Sequence, residues 1–273
     1  IHKCFIHDTQ LASFKGSQSK GVYIIGNELA RAGVGRQNVE FVAVDDVVIA
    51  GNEAHHSGLF DEIKGGAING IIYRNYVHDS AGGILVGGDC TGRVYLVNTT
   101  ATWEAKNLKV WDNVIANDSD EAFRIVDCQD CVVSNNTFYA KTPKAMIRML
   151  TEGFDGGDGK CNAVKLGNKN VRLTNNVFVM DAKPTYGIAT NETAGATVLS
   201  LDHNAWFVAS GDVTTVGSDV PFKGEATSLY VDPKLVGPQP GAGSPLLGKG
   251  TPIDFVKGNA EGKCWSPPNI GAY

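Results

Sequence analysis

The 273-residue chain carries little charge of either sign. Asp, Glu, Lys and Arg make up 19% of it, and the balance of −5 leaves no basic excess. A nucleic-acid binder is expected to show a basic stripe, so that class is set aside. A local basic groove for an acidic sugar polymer stays compatible with the balance. Long apolar runs are missing, which excludes a membrane-spanning helix. Helical periodicity is poor throughout. There is no signal-peptide pattern, and the chain opens at Ile1 in "IHKCFIHDTQ", which reads as the middle of a pattern. The expectation is a processed or trimmed chain whose earlier segment is missing. The pair Cys128 and Cys131 in "DCQDC" lacks the second C-x-x-C or His pair that a zinc site needs. It also lacks the βαβ context of a thioredoxin-like motif.

What is present is a globular composition, with 42% hydrophobic residues. The length suits one large domain or two small ones. Six cysteines in a chain rich in Gly and Asn fit an extracellular or periplasmic protein with disulfides. Cys90 and Cys161 both fall in insertions, so a bond between them is conceivable, although connectivity is not readable from sequence.

The main signal is internal repetition. Short apolar strands end in a polar or small residue followed by Asn: "VYIIGN" to Asn27, "VVIAGN" to Asn52, "GIIYRN" to Asn75, "LKVWDN" to Asn113, "CVVSNN" to Asn136, "VRLTNN" to Asn176 and "VLSLDHN" to Asn204. The spacings are 25, 23, 38, 23, 40 and 28 residues, a basic period of 23–25 broken by two long insertions. Within a unit, residues alternate with period two, as Val171 and Leu173 do against Arg172 and Thr174. Gly, Asn and Asp mark the turns, since they tolerate positive φ. A unit this short cannot bury its apolar face alone; stacking its neighbours closes the core. The repeated Asn is either a turn-former or a rung of a buried hydrogen-bonded ladder. Both readings are structural.

With its "NNTFYA" and "NNVFVM" rungs, the stretch from about residue 20 to 210 resembles the pectate-lyase-like superfamily of right-handed parallel β-helix proteins. The tail "YVDPKLVG", "GSPLLGKG", "NIGAY" resembles the closing segment of secreted bacterial β-helix proteins, which packs across the solenoid. The expected fold is all-β: a right-handed parallel β-helix solenoid over residues 1–210 with an incomplete start. Two loop insertions leave it, and residues 211–273 form an irregular C-terminal capping segment of the same domain. This fold carries lyases, hydrolases, esterases and adhesins, so function has to come from a site.

Aligning "DEIKGGAINGIIYRN" with "EAFRIVDCQDCVVSNN" by the terminal Asn, with one extra residue in the second, places Lys64 opposite Arg124. The intervening rung offers Leu85 and the following one Arg148. The row then reads Lys64, Leu85, Arg124, Arg148, with Glu40 or Phe41 nearby upstream. Acids stand close: Asp61, Glu62, Glu121 and Glu152. Both insertions leave just after the row residues of their rungs and should wall a cleft, offering Tyr95 and Trp103 as flat faces for sugar rings. "DGGDG" in the second insertion holds carboxylates and carbonyls but no full calcium ligand set.

A β-eliminating lyase needs a cation or metal to neutralise a uronate carboxylate and a base to take the adjacent proton. "EIKGGAINGIIYRNYVHDSAGGILVGG" resembles the corresponding segment of chondroitinase-B-like and alginate lyases. That resemblance implies Lys64 as base. The arginine of the family's next rung has no counterpart in "ILVGG", so Arg124 would stand in from one rung further. The marks of pectate lyases (W-x-D-H, R-x-P-x-x-R) and of polygalacturonases (N-T-D, G-H-G, R-I-K) are absent. Asp45–Asp46 reads as a turn rather than a hydrolase pair.

The expected function is a secreted polysaccharide-active enzyme, a lyase on an acidic, uronate-containing glycan. Lys64 and Arg124 are the catalytic candidates. Arg148, Tyr95, Trp103, Glu121 and His56 are the substrate-binding candidates, His56 being weighed against a solvated turn in "AHHSG". Glu40 and Glu62 are candidates to hold a calcium or to orient the lysine. Lys64 itself is open between base and surface residue, and its two following glycines are read as leaving space for a ligand. The alternatives are a glycoside hydrolase with paired carboxylates such as Glu62 and Glu121, and a non-catalytic carbohydrate-binding surface protein. The expected partner is a polysaccharide, with no nucleic acid or membrane, and a monomeric state.

Overall fold

The computed structural model describes residues 1–88, 90–155, 160–161, 166–191, 198–223 and 225–273. Short strands succeed one another along the chain, and those of the solenoid pair in parallel with their equivalents in neighbouring rungs, while Leu235–Val236 and Gln239–Pro240 form a separate antiparallel pair. The strands ending at the repeated Asn, from Lys20–Ile25 through Asp45–Ala50 and Ile71–Tyr73 to Leu199–Asp202, stack into a first face. A second face starts after the Asn, with Glu28–Ala30, Glu53–His55 and Tyr76–His78. The third holds Phe14–Ser17, Val39–Val42, Asp61–Lys64 and Ile84–Gly87. The long strands Val114–Val126 and Thr137–Leu150 run continuously from the second face into the third and join the two into one 13-stranded sheet. This is the expected parallel β-solenoid.

The period-two pattern explains the core. Val171 and Leu173 are fully buried while Arg172 between them is exposed. Because pairing is in register, inward residues of one rung meet those of the next. Phe138, Phe178 and Trp206 stack, with successive centroids 5.0 and 4.4 Å apart, and Phe222 lies tilted against Trp206 at 5.0 Å.

The recurrent Asn side chains do form a ladder. Oδ1 of Asn52 accepts from both the backbone N–H and Nδ2 of Asn27, at 2.9 and 3.0 Å. The same double bond repeats through Asn75, Asn113, Asn136, Asn176 and Asn204. The Cys4 N–H donates to the first member, and the Ser228 hydroxyl accepts from the last. The turn-forming residue is the one before the Asn. Gly26, Gly51, Arg74, Asp112, Asn135, Asn175 and His203 all have φ between +51° and +63°. The corner thus divides two jobs between two residues: one takes the left-handed backbone, the other satisfies the buried donors.

Both insertions leave the end of the third face. Cys90 in the first is disulfide-bonded to Cys161 in the second, and Cys128 is bonded to Cys131. After Leu229 the chain turns back along the outside. Leu246 and Ile270 pack on Val177, Val179 and Ala205, and the Gly271 N–H donates to the Asn175 carbonyl. The C-terminal segment therefore packs across the rungs.

Candidate functional site

The outward positions of the third face carry the charges. The register across it reads Lys15, Glu40, Glu62, Leu85, Arg124, Arg148 and Ala189. Leu85, Arg124 and Arg148 stand in one row as expected. Lys64 is not in that row; Glu62 holds the place expected for it, and Lys64 lies two residues further along, opposite Val42. The cause is the corner that follows: three residues, Lys64 to Gly66, lie between Ile63 and Ala67, but only Asp127 lies between their partners Val126 and Cys128, so the extra residue belongs to the Lys64 rung and not to the Arg124 rung, even after the bulge at Val86 and Gly87 takes one residue back. A displacement of two keeps the side chain on the same face, so Lys64 and Arg124 both point outward on this sheet. Asp61 faces the core instead. Burial pushes its carboxyl well above the usual range, against a backbone bond from Leu85 N at 3.3 Å.

Lys64 sits in a cleft of about 280 Å³ with Lys15, Glu40, Thr91 and Tyr95. Its Nζ is 2.7 Å from Glu62 Oε1 and 3.9 Å from Glu40 Oε1. Glu40 is also 2.9 Å from Lys15 Nζ. Burial pulls Lys64 down, but the carboxylates of Glu62, Glu40 and Glu104 outweigh it and hold the ammonium above the usual lysine range. In the free protein Lys64 is therefore a cation at neutral pH.

Glu62 links this cleft to the next. Its second oxygen accepts from Gln37 Nε2 at 2.7 Å. Gln37 lines a neighbouring cleft of about 250 Å³ with Gly58, Gly82, Glu121 and Arg124. Arg124 is paired with Glu121 through its Nε and its terminal nitrogen, and Arg148 Nη1 stands 4.0 Å from the same carboxylate. Four cations, Lys15, Lys64, Arg124 and Arg148, thus share three carboxylates, Glu40, Glu62 and Glu121, in and beside two adjoining clefts.

The walls are only partly those expected. Tyr95 lines the Lys64 cleft, on a short 3-10 turn at Arg93–Tyr95. Trp103 does not. It packs against Leu96, Ala101, Phe154 and Leu166 in a small core under the loop, with the Lys106 ammonium 4.7 Å from its ring centroid. His56 is outside both clefts. It is an exposed residue with φ +55° at the turn after Glu53–His55, its Nδ1 2.7 Å from that of His55. The imidazole stack is His55 on His78, 5.1 Å apart. Glu40 and Glu62 do not fit a calcium: each is engaged by a lysine ammonium. Among the described residues no group of three or more His, Cys, Asp or Glu side chains converges to hold a metal. In "DGGDG" the residues after Asp155 lie outside those described.

Gly65 and Gly66 are not spacers for a ligand. Both have positive φ, +73° and +77°, and a Cβ on Gly65 would sit 2.8 Å from Val42 Cγ1. The glycine that makes room for Lys64 is Gly88, where a Cβ would fall 2.4 Å from Lys64 Cβ. Four contributors escaped the sequence reading: Lys15, Gln37, Thr91 and Glu104. Fully buried Glu104 accepts from Gly65 N at 2.6 Å, Thr91 N at 2.9 Å and Thr91 Oγ1 at 2.7 Å.

Compared with protein-family models, with curated proteins and with solved structures, the chain matches none.

Proposed function

We propose that this chain is a secreted polysaccharide lyase of the pectate-lyase-like kind, acting on an acidic glycan at the Lys64 cleft. The observation that carries this reading is the cleft itself. It presents two ammonium groups, Lys15 and Lys64, beside an aromatic wall on a stapled loop. Two disulfides suit a protein that matures in an oxidising compartment.

A uronate entering here exchanges its carboxylate for the internal ones on Lys15 and Lys64. Arg124, in the adjoining cleft, meets an acidic unit further along the polymer. Neutralising the carboxylate acidifies the neighbouring carbon. The base takes that proton, a carbon–carbon double bond forms, and the bond to the 4-linked sugar oxygen breaks, the departing oxygen taking a proton from solvent water. Lys64 is the residue beside the reacting unit, and its acid–base state decides its part. As base it must first lose a proton that Glu62 and Glu40 hold in place.

The test is ultraviolet absorbance during incubation with a panel of uronate polymers. Rising absorbance that is lost in Lys64→Ala supports the lyase. New reducing ends without the chromophore point to a hydrolase using Glu62 and Glu121, and binding without either product to a carbohydrate-binding protein. The pH profile then separates two roles for Lys64. With Lys64 as base, kcat/KM climbs into the alkaline range, and Glu62→Gln, which removes a neighbouring negative charge, moves that limb to lower pH. With Lys64 as the carboxylate-binding cation, kcat/KM falls as pH rises through the same range.

A further inference from the structure

The outward side chains of the second face follow a different pattern from those of the third. In register they read His55, His78, Ala116, Tyr139 and Val179. His55 and His78 stack at one-rung spacing, their ring centroids 5.1 Å apart. Tyr73 and Trp111 do the same on the first face, at 4.8 Å. On the second face the rings then skip one rung. Ala116 stands where a ring would continue the stack, and Tyr139 resumes it. The row two residues earlier has the same gap: it runs from Tyr76 through Val114 to Thr137. The Tyr76 ring lies on that of His78, 4.7 Å away. The result is a slot with aromatic rings on two sides, two rungs or roughly 9.5 Å apart along the solenoid. Its floor is made by the short side chains of Val114 and Ala116.

A third side is closed by the antiparallel pair Leu235–Val236 and Gln239–Pro240, whose turn brings Gly237 and Pro238 against the slot. The enclosed cleft measures about 260 Å³. Its walls are held in place. Gln239 Nε2 donates to Glu261 Oε1 at 2.9 Å, and Gly241 N to the Lys234 carbonyl at 2.9 Å. Tyr139 is fixed by a hydrogen bond from its hydroxyl to the Asp181 carboxylate.

We propose that this cleft is a second carbohydrate site, which takes one uncharged pyranose ring of a glycan and stacks it between Tyr76 and Tyr139.

The occupant follows from size, charge and edge chemistry. A gap of one rung admits one ring, which would meet its neighbours at the same spacing as the ring stacks of His55–His78 and Tyr73–Trp111. The volume falls just below the range of about 300–1,000 Å³ typical of drug-sized ligands, which suits a single ring rather than a length of chain. None of the described lining residues is charged, so an ion entering here would lose water without gaining a partner. That sets this cleft apart from the one around Lys64. The lining carries three hydroxyls, those of Tyr76, Thr137 and Tyr139. A pyranose offers C–H faces to the rings and hydroxyls at its edge to these groups. An aromatic side chain would cover the same hydroxyls without pairing them. The site lies on a different face from Lys64 and does not depend on the lyase reading.

Saturation-transfer NMR with four neutral trisaccharides (cellotriose, xylotriose, mannotriose and galactotriose) tests the site, with N-acetyltryptophanamide as the aromatic probe. Transfer to at least one saccharide is expected. It should be lost in Ala116→Phe, which puts a ring of the protein's own into the gap. Ala116 is half-buried and points outward, so this variant should unfold no more easily than wild type. Tyr76 is exposed, and Tyr76→Ala should keep the fold while raising the Kd about tenfold or more. Lys64→Ala should bind as wild type does. Transfer to none of the four saccharides overturns the proposal. So does binding that survives in both Ala116→Phe and Tyr76→Ala. Binding lost in Lys64→Ala places the sugar in the other cleft and overturns it as well. Transfer to N-acetyltryptophanamide alone assigns the slot to an aromatic side chain of a protein partner and overturns the carbohydrate.

Discussion

Two regions of this solenoid are built by the same device, and they use it differently. At the corner between the first and second faces, every rung from Asn27 to Asn204 places Asn in the same position. On the third face, every rung also places its residues in register, but the residues are Lys15, Glu40, Glu62, Leu85, Arg124 and Arg148. An amide is self-complementary: its oxygen accepts and its nitrogen donates, so identical side chains can stack without limit. A charge repels its copy, so the outward cations close on neighbouring carboxylates, Lys15 on Glu40, Lys64 on Glu62 and Arg124 on Glu121. The first arrangement stabilises the fold. The second holds ion pairs in clefts open to solvent, available to a charged ligand that can exchange for one partner.

The largest effect should come from the ladder. Asn113 Nδ2 donates to Asn136 Oδ1, Ile72 O and Trp111 O, and its Oδ1 accepts from Asn75 N and Nδ2. In Asn113→Ala several of these buried partners are left unpaired, at roughly 1–3 kcal/mol each. We expect a loss of about 4 kcal/mol in urea unfolding, with no counterpart rung able to compensate. A loss under about 1 kcal/mol would mean that stacked apolar residues, rather than the ladder, fix the corner.

Arg124→Ala is the matching test on the third face. Glu121 is only 5% exposed and would lose the guanidinium that holds it. Removing one partner of a buried pair costs about 3–5 kcal/mol. The cleft admits water beside Arg124, and about 2 kcal/mol is the expectation here. The double variant Glu121→Gln/Arg124→Ala should regain most of that loss, because no unpaired charge remains. The ladder offers no such rescue. If the double variant is as unstable as the single, Arg124 contributes packing rather than charge pairing.

The two regions also differ in how far sequence reveals them. The ladder is legible because one residue type must recur at one spacing, and the fold follows from it. Even there the backbone detail is displaced by one residue: the left-handed turn falls on Gly26, Arg74 or Asp112, not on the Asn. The charged row is legible in composition and only partly in register. Terminal Asn residues fix alignment at one corner, but the corner between the third face and the first differs in length from rung to rung: Lys64, Gly65 and Gly66 stand where the Arg124 rung has only Asp127. Leu85, Arg124 and Arg148 align with one another, and Lys64 is displaced by that longer corner. Trp103 and Tyr95 look equivalent in a loop sequence, yet only the loop's own small core decides which one is buried. Glu104 gives no local signal at all, since its partners are set by how an 18-residue insertion folds back onto the strand it left.

Arg148 provides the smallest and sharpest test. It continues the row after Arg124, but its side chain is 47% exposed and stands 4.0 Å from Glu121, at the edge of an ion pair. Exposed pairs of this kind are worth about 0–1 kcal/mol. Arg148→Ala should therefore leave unfolding within about 0.5 kcal/mol of wild type, while Arg124→Ala does not. The same variant should weaken binding of a uronate polymer, and more so at low ionic strength, because an exposed cation acts on a polyanion through screened long-range attraction. Unchanged stability with weakened, salt-sensitive binding is the signature of a row position held for a ligand. Unchanged stability with unchanged binding would end the row at Arg124 and confine the site to the two adjoining clefts.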